Sequence, residues 1–377
     1  MFTLQEALAA IKDKPEFRCN TREFGFNIDY NLTTSTTFGG ATPRETHILK
    51  NLRGTCFDTA GNIISLGFDK FHNLDECPGW MASDIDFSQP GVIMEKMDGS
   101  MVRPLLVNGE LRLLTRAGIT DVAKLAEEFV RSMPTDRRDV FLVMCRELLN
   151  CGYTPIFEFC SRAQRIVIDY PETRLILTAI RSTHTGEYFS YAALQTVAMR
   201  YSWEVVQVLD PTQFTSVEQL ATAVRQWQTA EGVVLAFTSG FRVKIKADRY
   251  VLQHRALDGL RFEKDVVHII LSNLLDDTLP LVHDDLKLRL QTFQASVLGS
   301  IAHAETQILL DFAQLSSTTT TRAEFATGAK SSQYKQYLFR LYDNKPSELI
   351  SDIIKSCGSS TRLELYRWAI GPSYYKF

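Results

Sequence analysis

The chain has 377 residues, of which 45% are hydrophobic, with a formal net charge of -3 and an isoelectric point near 6.2. That length and apolar content suffice for two folded domains, and the mild acidity argues against a uniformly basic nucleic-acid coat, leaving room only for a local basic cleft. Seven cysteines form an odd set with no Cys-x-x-Cys pair, which fits reduced thiols and a cytoplasmic setting.

In chain order, Met1 to Pro15 reads as an amphipathic helix with Leu4, Ala7, Leu8 and Ile11 on one face, not as a basic-then-apolar leader. No apolar run reaches membrane-spanning length, so neither secretion nor membrane insertion is expected. Short β-type runs then occupy Gly91–Lys96, Met101–Val107, Leu111–Thr115, Pro155–Cys160, Arg165–Asp169, Arg174–Arg181, Gly232–Phe237 and Phe241–Ile245. Helical periodicity interrupts them at Asp121–Met133 and Arg138–Asn150. Beyond Arg255 the pattern turns helical, at Phe262–Leu275, Asp284–Phe312, Ser332–Leu341 and Glu348–Ser356, with Ser316–Thr321 as a polar loop. The expected class is α+β. A first domain over 1–255 carries mainly antiparallel sheets with flanking helices, and a small all-helical domain over 256–377 follows.

The string Glu95-Lys96-Met97-Asp98-Gly99-Ser100 sets a lysine at fixed spacing before Asp-Gly-Ser. A lysine that attacks a nucleotide α-phosphate must be neutral when it attacks, and a nearby cation or partial burial lowers its pKa. Lys96 is the candidate nucleophile. Asp98 is suited to orient a neighbouring hydroxyl or amide, and Gly99 to let the backbone turn tightly. Alone, such a string is weak, because strand-to-turn junctions produce it by chance.

Its company strengthens it. In Phe157-Glu158-Phe159 strand alternation sends the two phenylalanines one way and Glu158 the other. Ala230-Glu231-Gly232-Val233-Val234 puts a carboxylate at the start of an apolar strand, and oxygen ligands of that type suit Mg²⁺. Val243-Lys244-Ile245-Lys246 projects two ammonium groups from one strand face, an arrangement that repulsion makes costly without an anion. Upstream, Arg53 and Lys70 could contact triphosphate or base, although solvated surface charge is the commoner fate of such residues. The scattered histidines, His72 included, show no ligand spacing, and Cys56 and Cys160 read as buried small residues. The tail Tyr374-Tyr375-Lys376-Phe377 suits base stacking or packing equally.

The order Lys-x-Asp-Gly, Phe-Glu-Phe, Glu-Gly-Val-Val, Lys-x-Lys resembles the motifs of the covalent nucleotidyltransferase superfamily of polynucleotide ligases and capping enzymes. The closer resemblance is to the ATP-dependent RNA ligases of T-even phages, the RNA ligase 1 family that reseals broken tRNA anticodon loops. It extends to Leu52-Arg53-Gly54, Lys70-Phe71-His72-Asn73-Leu74, Arg165-Ile166-Val167, Thr185-Gly186-Glu187-Tyr188 and Lys244-Ile245-Lys246-Ala247-Asp248-Arg249-Tyr250. The resemblance implies an adenylated Lys96, with Tyr30, Arg53, Lys70, Glu158, Glu231, Lys244 and Lys246 contacting ATP. It implies Glu158, Glu231 and Asp276 at metal sites for Mg²⁺ or Mn²⁺, and Arg116 and Tyr250 in RNA sealing. The partner implied is RNA with 5′-phosphate and 3′-hydroxyl ends, nicked tRNA included, and the protein is expected to act as a monomer in the cytoplasm, a host cytoplasm if the source is viral. DNA ligases and capping enzymes usually follow the Lys-x-Lys segment with an oligonucleotide-binding barrel. None is expected here. The competing readings are a ligase of nicked duplexes or single-stranded DNA, and a binding module for RNA ends that has lost catalysis.

Overall fold

The computed structural model describes residues 1–31, 33–34, 36–89 and 91–373, so the aromatic tail at 374–377 lies outside the described residues. Among the described residues there are thirteen strands: β1 (Phe17–Arg22), β2 (Gly25–Tyr30), β3 (Thr55–Phe57), β4 (Ile63–Ser65), β5 (His72–Asn73), β6 (Gly91–Lys96), β7 (Ser100–Val107), β8 (Glu110–Leu114), β9 (Tyr153–Cys160), β10 (Arg174–Ser182), β11 (Val208–Leu209), β12 (Gly232–Phe237) and β13 (Arg242–Lys246). They form three sheets, in the orders β1-β2-β3-β4, β10-β9-β7-β8 and β11-β6-β12-β13-β5. Every strand pair is antiparallel except β13 with β5.

Contacts divide the chain into two units, Met1–Val251 and Leu252–Phe377. In the first, each sheet buries one face under helices. The helices Asp121–Ser132 and Thr135–Asn150 pack Ala126, Val130, Phe141 and Met144 against Phe157 and Phe159 of β9. The helix Val217–Arg225 packs Val217, Leu220, Ala221 and Val224 against Ile93, Val233, Leu235, Val243 and Ile245 of the five-stranded sheet. Because side chains alternate along a strand, the other face of that sheet receives Val92, Met94 and Lys96 from β6 and Arg242, Lys244 and Lys246 from β13. One pleat thus separates core from chemistry.

The second unit holds only helices among its described residues, with no barrel, as expected. Its spine is Asp284–Thr318, whose Leu286, Leu290, Phe293, Val297, Ile301 and Ile308 bury at helical spacing. This helix runs through Ser316–Thr318, half of the expected loop. No helix is long and apolar enough to cross a membrane among the described residues, and all seven cysteines are unpaired.

One expected strand is absent. Residues 165–169 form a bend after a 3₁₀ turn at Arg162–Gln164. Their amides are spent elsewhere, since Val167 and Ile168 donate to the Asp98 carboxylate at 2.8 and 2.6 Å. The sequence pattern also overlooked the N-terminal sheet and the helices Pro43–Asn51, Tyr191–Arg200, Val217–Arg225 and Asp248–Gly259.

Candidate active site

The register of the five-stranded sheet sets the site out in rows. Lys96 of β6 pairs with Gly232 of β12, which pairs in turn with Lys246 of β13. The next row is Met94, Val234 and Lys244, and the one beyond is Val92, Ala236 and Arg242. Gly232 has no side chain to interpose, so the two lysines of its row reach a common partner. Glu231, 2% exposed, receives Lys96 Nζ at 2.8 Å and Lys246 Nζ at 2.9 Å on the same carboxylate oxygen.

Electrostatics correct one expectation about the nucleophile. Burial works to lower the Lys96 pKa, but the carboxylates of Glu231 and Glu158, with Asp98 behind them, outweigh it and raise the pKa above the ordinary lysine value. Lys96 is therefore held as an ammonium in this arrangement, and the expected lowering by a nearby cation is absent. Lys244 behaves oppositely. Burial first, then the charges of Lys96, Lys70 and Arg53, bring its pKa down to about 7. Its place in the middle of a cationic group, beside the Phe71 ring at 5.2 Å, leaves it short of an anion.

Glu158 projects from β9 opposite the buried Phe157 and Phe159, as alternation predicted. Burial and the neighbouring Glu231 and Asp98 push its carboxyl up to about 8, against the pull of Lys96 and a hydrogen bond from the Gly99 amide. It is a buried carboxyl beside two other carboxylates, whose effect the Lys96 charge does not outweigh. That is the observation by which Glu158 fits a divalent metal beside a nucleotide, with Glu231 as the adjoining carboxylate. No group of three His, Cys, Asp or Glu side chains is gathered for an ion among the described residues, so nucleotide oxygens would complete the shell. Asp276 is exposed on a short helix, Leu275–Thr278, of the second unit.

Arg53, Tyr30 and Arg116 form a group of their own. Arg53 Nε donates to the Tyr30 hydroxyl at 3.2 Å, and its Nη1 to the Asp69 carbonyl at 3.0 Å. Arg116 lies 4.2 Å from the Tyr30 ring centroid, donates to the Tyr30 carbonyl at 3.1 Å and pairs with Asp29 at 3.2 Å. Tyr30 itself is buried against Phe17 and Phe38, and Lys70 Nζ sits 5.4 Å over the Phe38 ring.

Asp98 ties the site together. One oxygen accepts the Val167 and Ile168 amides, the other accepts the Tyr250 hydroxyl at 2.6 Å, and the Asp98 amide donates to the Tyr170 hydroxyl at 3.0 Å. The orienting role read from its place in the motif is what it performs, and Tyr250, whose ring lies 5.0 Å from Lys246 Nζ, is brought to the same point. Gly99 differs from expectation in its reason. It adopts no left-handed turn; instead a Cβ there would meet the Phe159 carbonyl at 2.5 Å, so the close approach of β9 requires glycine. Tyr170, Arg181, Tyr188 and Arg242 escaped the sequence reading, the last two although they stand inside or beside noted strings.

A family model described as RNA ligase matches residues 51–250, more than half of the chain and every candidate site residue read from the sequence except Tyr30 and Asp276. The chain belongs to the RNA ligase family. Among relatives, this RNA ligase is 28% identical over 314 residues to a provisionally named RNA ligase of Thermovibrio ammonificans, covering 80% of this chain and 77% of that one. It is 26% identical over 247 residues to RNA ligase 1 of bacteriophage TS2126, covering 63% and 60% of the two chains. An archaeal ATP-dependent RNA ligase of known structure aligns with a TM-score of 0.46 at 17% identity, over 68% of this chain and 65% of that one.

Proposed function

We propose that this RNA ligase is ATP-dependent and works through an adenylylated Lys96, joining a 5′-phosphate to a 3′-hydroxyl. The observation that carries the reading is the row Lys96, Gly232, Lys246 closed by one Glu231 oxygen, with Lys244, Lys70 and Arg53 beside it. A nucleotide laid on this face presents its α-phosphate to Lys96 and its anionic tail to the surplus of cations. Loss of the Lys96 proton frees the amine to attack the α-phosphorus, forming the phosphoramidate and releasing pyrophosphate. Glu231 lies in hydrogen-bond contact with the ammonium and is the group placed to take that proton. Lys246 and Lys244 then stabilise charge developing on the phosphoryl oxygens. A divalent cation held by Glu158 and Glu231 would add Lewis-acid stabilisation of those oxygens. Transfer of the adenylate to an RNA 5′-phosphate and attack by the 3′-hydroxyl complete sealing, with Arg116 and Tyr250 assigned to those later steps and Asp276 to a second cation. RNA broken in a tRNA anticodon loop, a monomeric state and a cytoplasmic setting extend the reading by family resemblance.

The test is retention of label on denatured protein after incubation with Mg²⁺ and α-labelled ATP or GTP. Label is expected from ATP with the wild type and none with Lys96→Ala. Its absence with both nucleotides would sink the mechanism.

Lys244 supplies a second expectation, with its sign fixed by the direction of the shift. At pH 8 a lysine with a pKa of about 7 is mostly neutral, and phosphate oxygens placed beside it restore the charge. Binding of a non-cleavable α,β-methylene ATP analogue at pH 8 is therefore expected to take up close to one proton. Calorimetry in buffers of different ionisation heat reads this directly, and Lys244→Met should erase it. Equal binding heats in all buffers for the wild type would show that Lys244 is not the phosphate's partner.

A further inference from the structure

Beyond the middle row of the five-stranded sheet opens a cavity of about 950 Å³. Its walls come from the helix Pro43–Asn51, the start of β6, the turn between β12 and β13, and residues 185–192. Lys96, Glu158, Glu231, Lys244, Lys246 and Arg53 do not line it. Two buried arginines do, and they differ in how their donors are used.

Arg181, 3% exposed, has a hydrogen-bond partner at each of its three nitrogens. Its Nε donates to the Gly186 carbonyl at 2.7 Å, Nη1 to the Gly67 carbonyl at 2.7 Å and Nη2 to the Asn51 side-chain oxygen at 2.5 Å. Such an arginine is a structural pin. Arg242, 6% exposed, is stacked 3.5 Å from the centroid of the Tyr188 ring, and Nη1 donates to the Gly240 carbonyl at 3.0 Å. No carboxylate is in ion-pair contact with it among the described residues. Of the two acids on the wall, Asp69 accepts the Tyr188 hydroxyl at 2.5 Å and Glu187 accepts the Thr185 hydroxyl at 3.1 Å. Burial disfavours the Arg242 cation and the Arg181 charge adds to this, against the pull of Tyr188 and Asp69, yet a guanidinium does not shed its proton in a protein. A cation so placed, with donors to spare and a cavity before it, calls for an anion. Lys50, half-buried over the Trp80 ring at 4.7 Å, adds a second cation to the same cavity.

We infer that this cavity is an oxyanion site, separate from the adenylylation row, in which Arg242 and Lys50 hold a phosphate group of a nucleotide or of an RNA strand. A guanidinium edge matches phosphate oxygens two at a time, and the volume accommodates a whole nucleotide unit. Arg242 lies four residues along the sheet from the Lys96 row, roughly 13 Å at strand spacing, on the same face. A nucleotide chain engaged at both ends would span that length. The inference draws on the ligase reading only for the two arms that identify the source of the phosphate; phosphate binding at Arg242 stands or falls without it.

The direct test needs no catalysis. Inorganic phosphate is titrated against the full chain while thermal unfolding is followed, in wild type, Arg242→Gln and Lys50→Gln. Phosphate is expected to raise the melting temperature of the wild type, with at least half of that rise lost in Arg242→Gln and a smaller part lost in Lys50→Gln. An equal rise in all three proteins would overturn the site, and because Lys50→Gln removes only a half-buried contact with the Trp80 ring, it serves if Arg242→Gln folds poorly. Two further arms identify the source of the phosphate. If it belongs to a nucleotide, Arg242→Gln raises the ATP concentration for half-maximal protein labelling by tenfold or more, and Arg242→Lys recovers part of it. If it belongs to the strand, the tenfold rise falls on the RNA concentration for sealing a pre-adenylylated RNA, with ATP labelling untouched. Both arms unmoved, in a variant that melts with the wild type, would make Arg242 a structural pin like Arg181 and overturn the inference.

Discussion

Glu231→Gln is expected to lower labelling from ATP by more than a hundredfold, to cost about 2–3 kcal/mol of stability, and to shift the pH midpoint of whatever labelling survives downward. The stability figure is set just below the roughly 3–5 kcal/mol that breaking a buried ion pair costs, because the two lysines keep part of their hydration. The substitution preserves shape and removes one charge, leaving Lys96 and Lys246 facing each other across Gly232 with no counter-charge at 2.8 and 2.9 Å. The pH shift follows from the sign of the effect on Lys96. Its pKa is raised because Glu231 and Glu158 outweigh burial, so deleting Glu231 lets burial win and the pKa falls. The variant therefore holds more neutral amine at a given pH, yet it has lost the group that places that amine and accepts its proton. If placement and proton transfer dominate, the rate falls while the profile moves to lower pH, and labelling with protein melting measure both. A variant that labels faster than wild type below pH 8 would show instead that Glu231 is only a brake on the nucleophile.

How much of this was legible in the sequence depends on whether a residue's role lay in its own strand. Glu158, Lys244 and Lys246 follow from alternation within single strands, and the structure puts each on the face that alternation assigns; Lys96 follows from its spacing before Asp98-Gly99-Ser100. The Lys96–Glu231–Lys246 arrangement was half legible, since the residues were marked but the register that brings Lys96 beside Glu231 and Lys246, 135 and 150 positions further on, was not readable from any one strand. Asp98 was read as an orienting group, but its partners at Val167, Ile168 and Tyr250 lie 69 to 152 positions away. The same bond explains why 165–169 is no strand: the apolar string Ile166-Val167-Ile168 has β character, and a buried carboxylate claimed the amides that a ladder would need. Arg242 was invisible for a different reason. An arginine in a strand is ordinarily solvated, and nothing local distinguishes it from the committed Arg181; only the inventory of partners around each does so.

Gly232→Ala is the second large effect expected, a loss of about 3 kcal/mol or more together with labelling reduced below detection. Gly232 has φ +145°, and an added Cβ would lie 2.0 Å from the Ile245 carbonyl oxygen and 2.8 Å from Lys246 Cα. Both contacts are backbone atoms of β13, so no side chain can swing aside. Nor can β12 retreat, since β6 pairs with it on its other edge from Gly232 to Phe237. Relief must come from parting β12 and β13 at the row that sets Lys246 against Glu231. Backbone strain alone is separated from this by Gly109→Ala. Gly109 also has positive φ, +84°, in the turn between β7 and β8, but a Cβ there meets nothing within 4 Å. That variant is expected to lose about 1 kcal/mol and label as wild type does. If Gly232→Ala behaved like Gly109→Ala in denaturant unfolding and in labelling, the close packing of β12 on β13 would not be what holds the two lysines on one carboxylate.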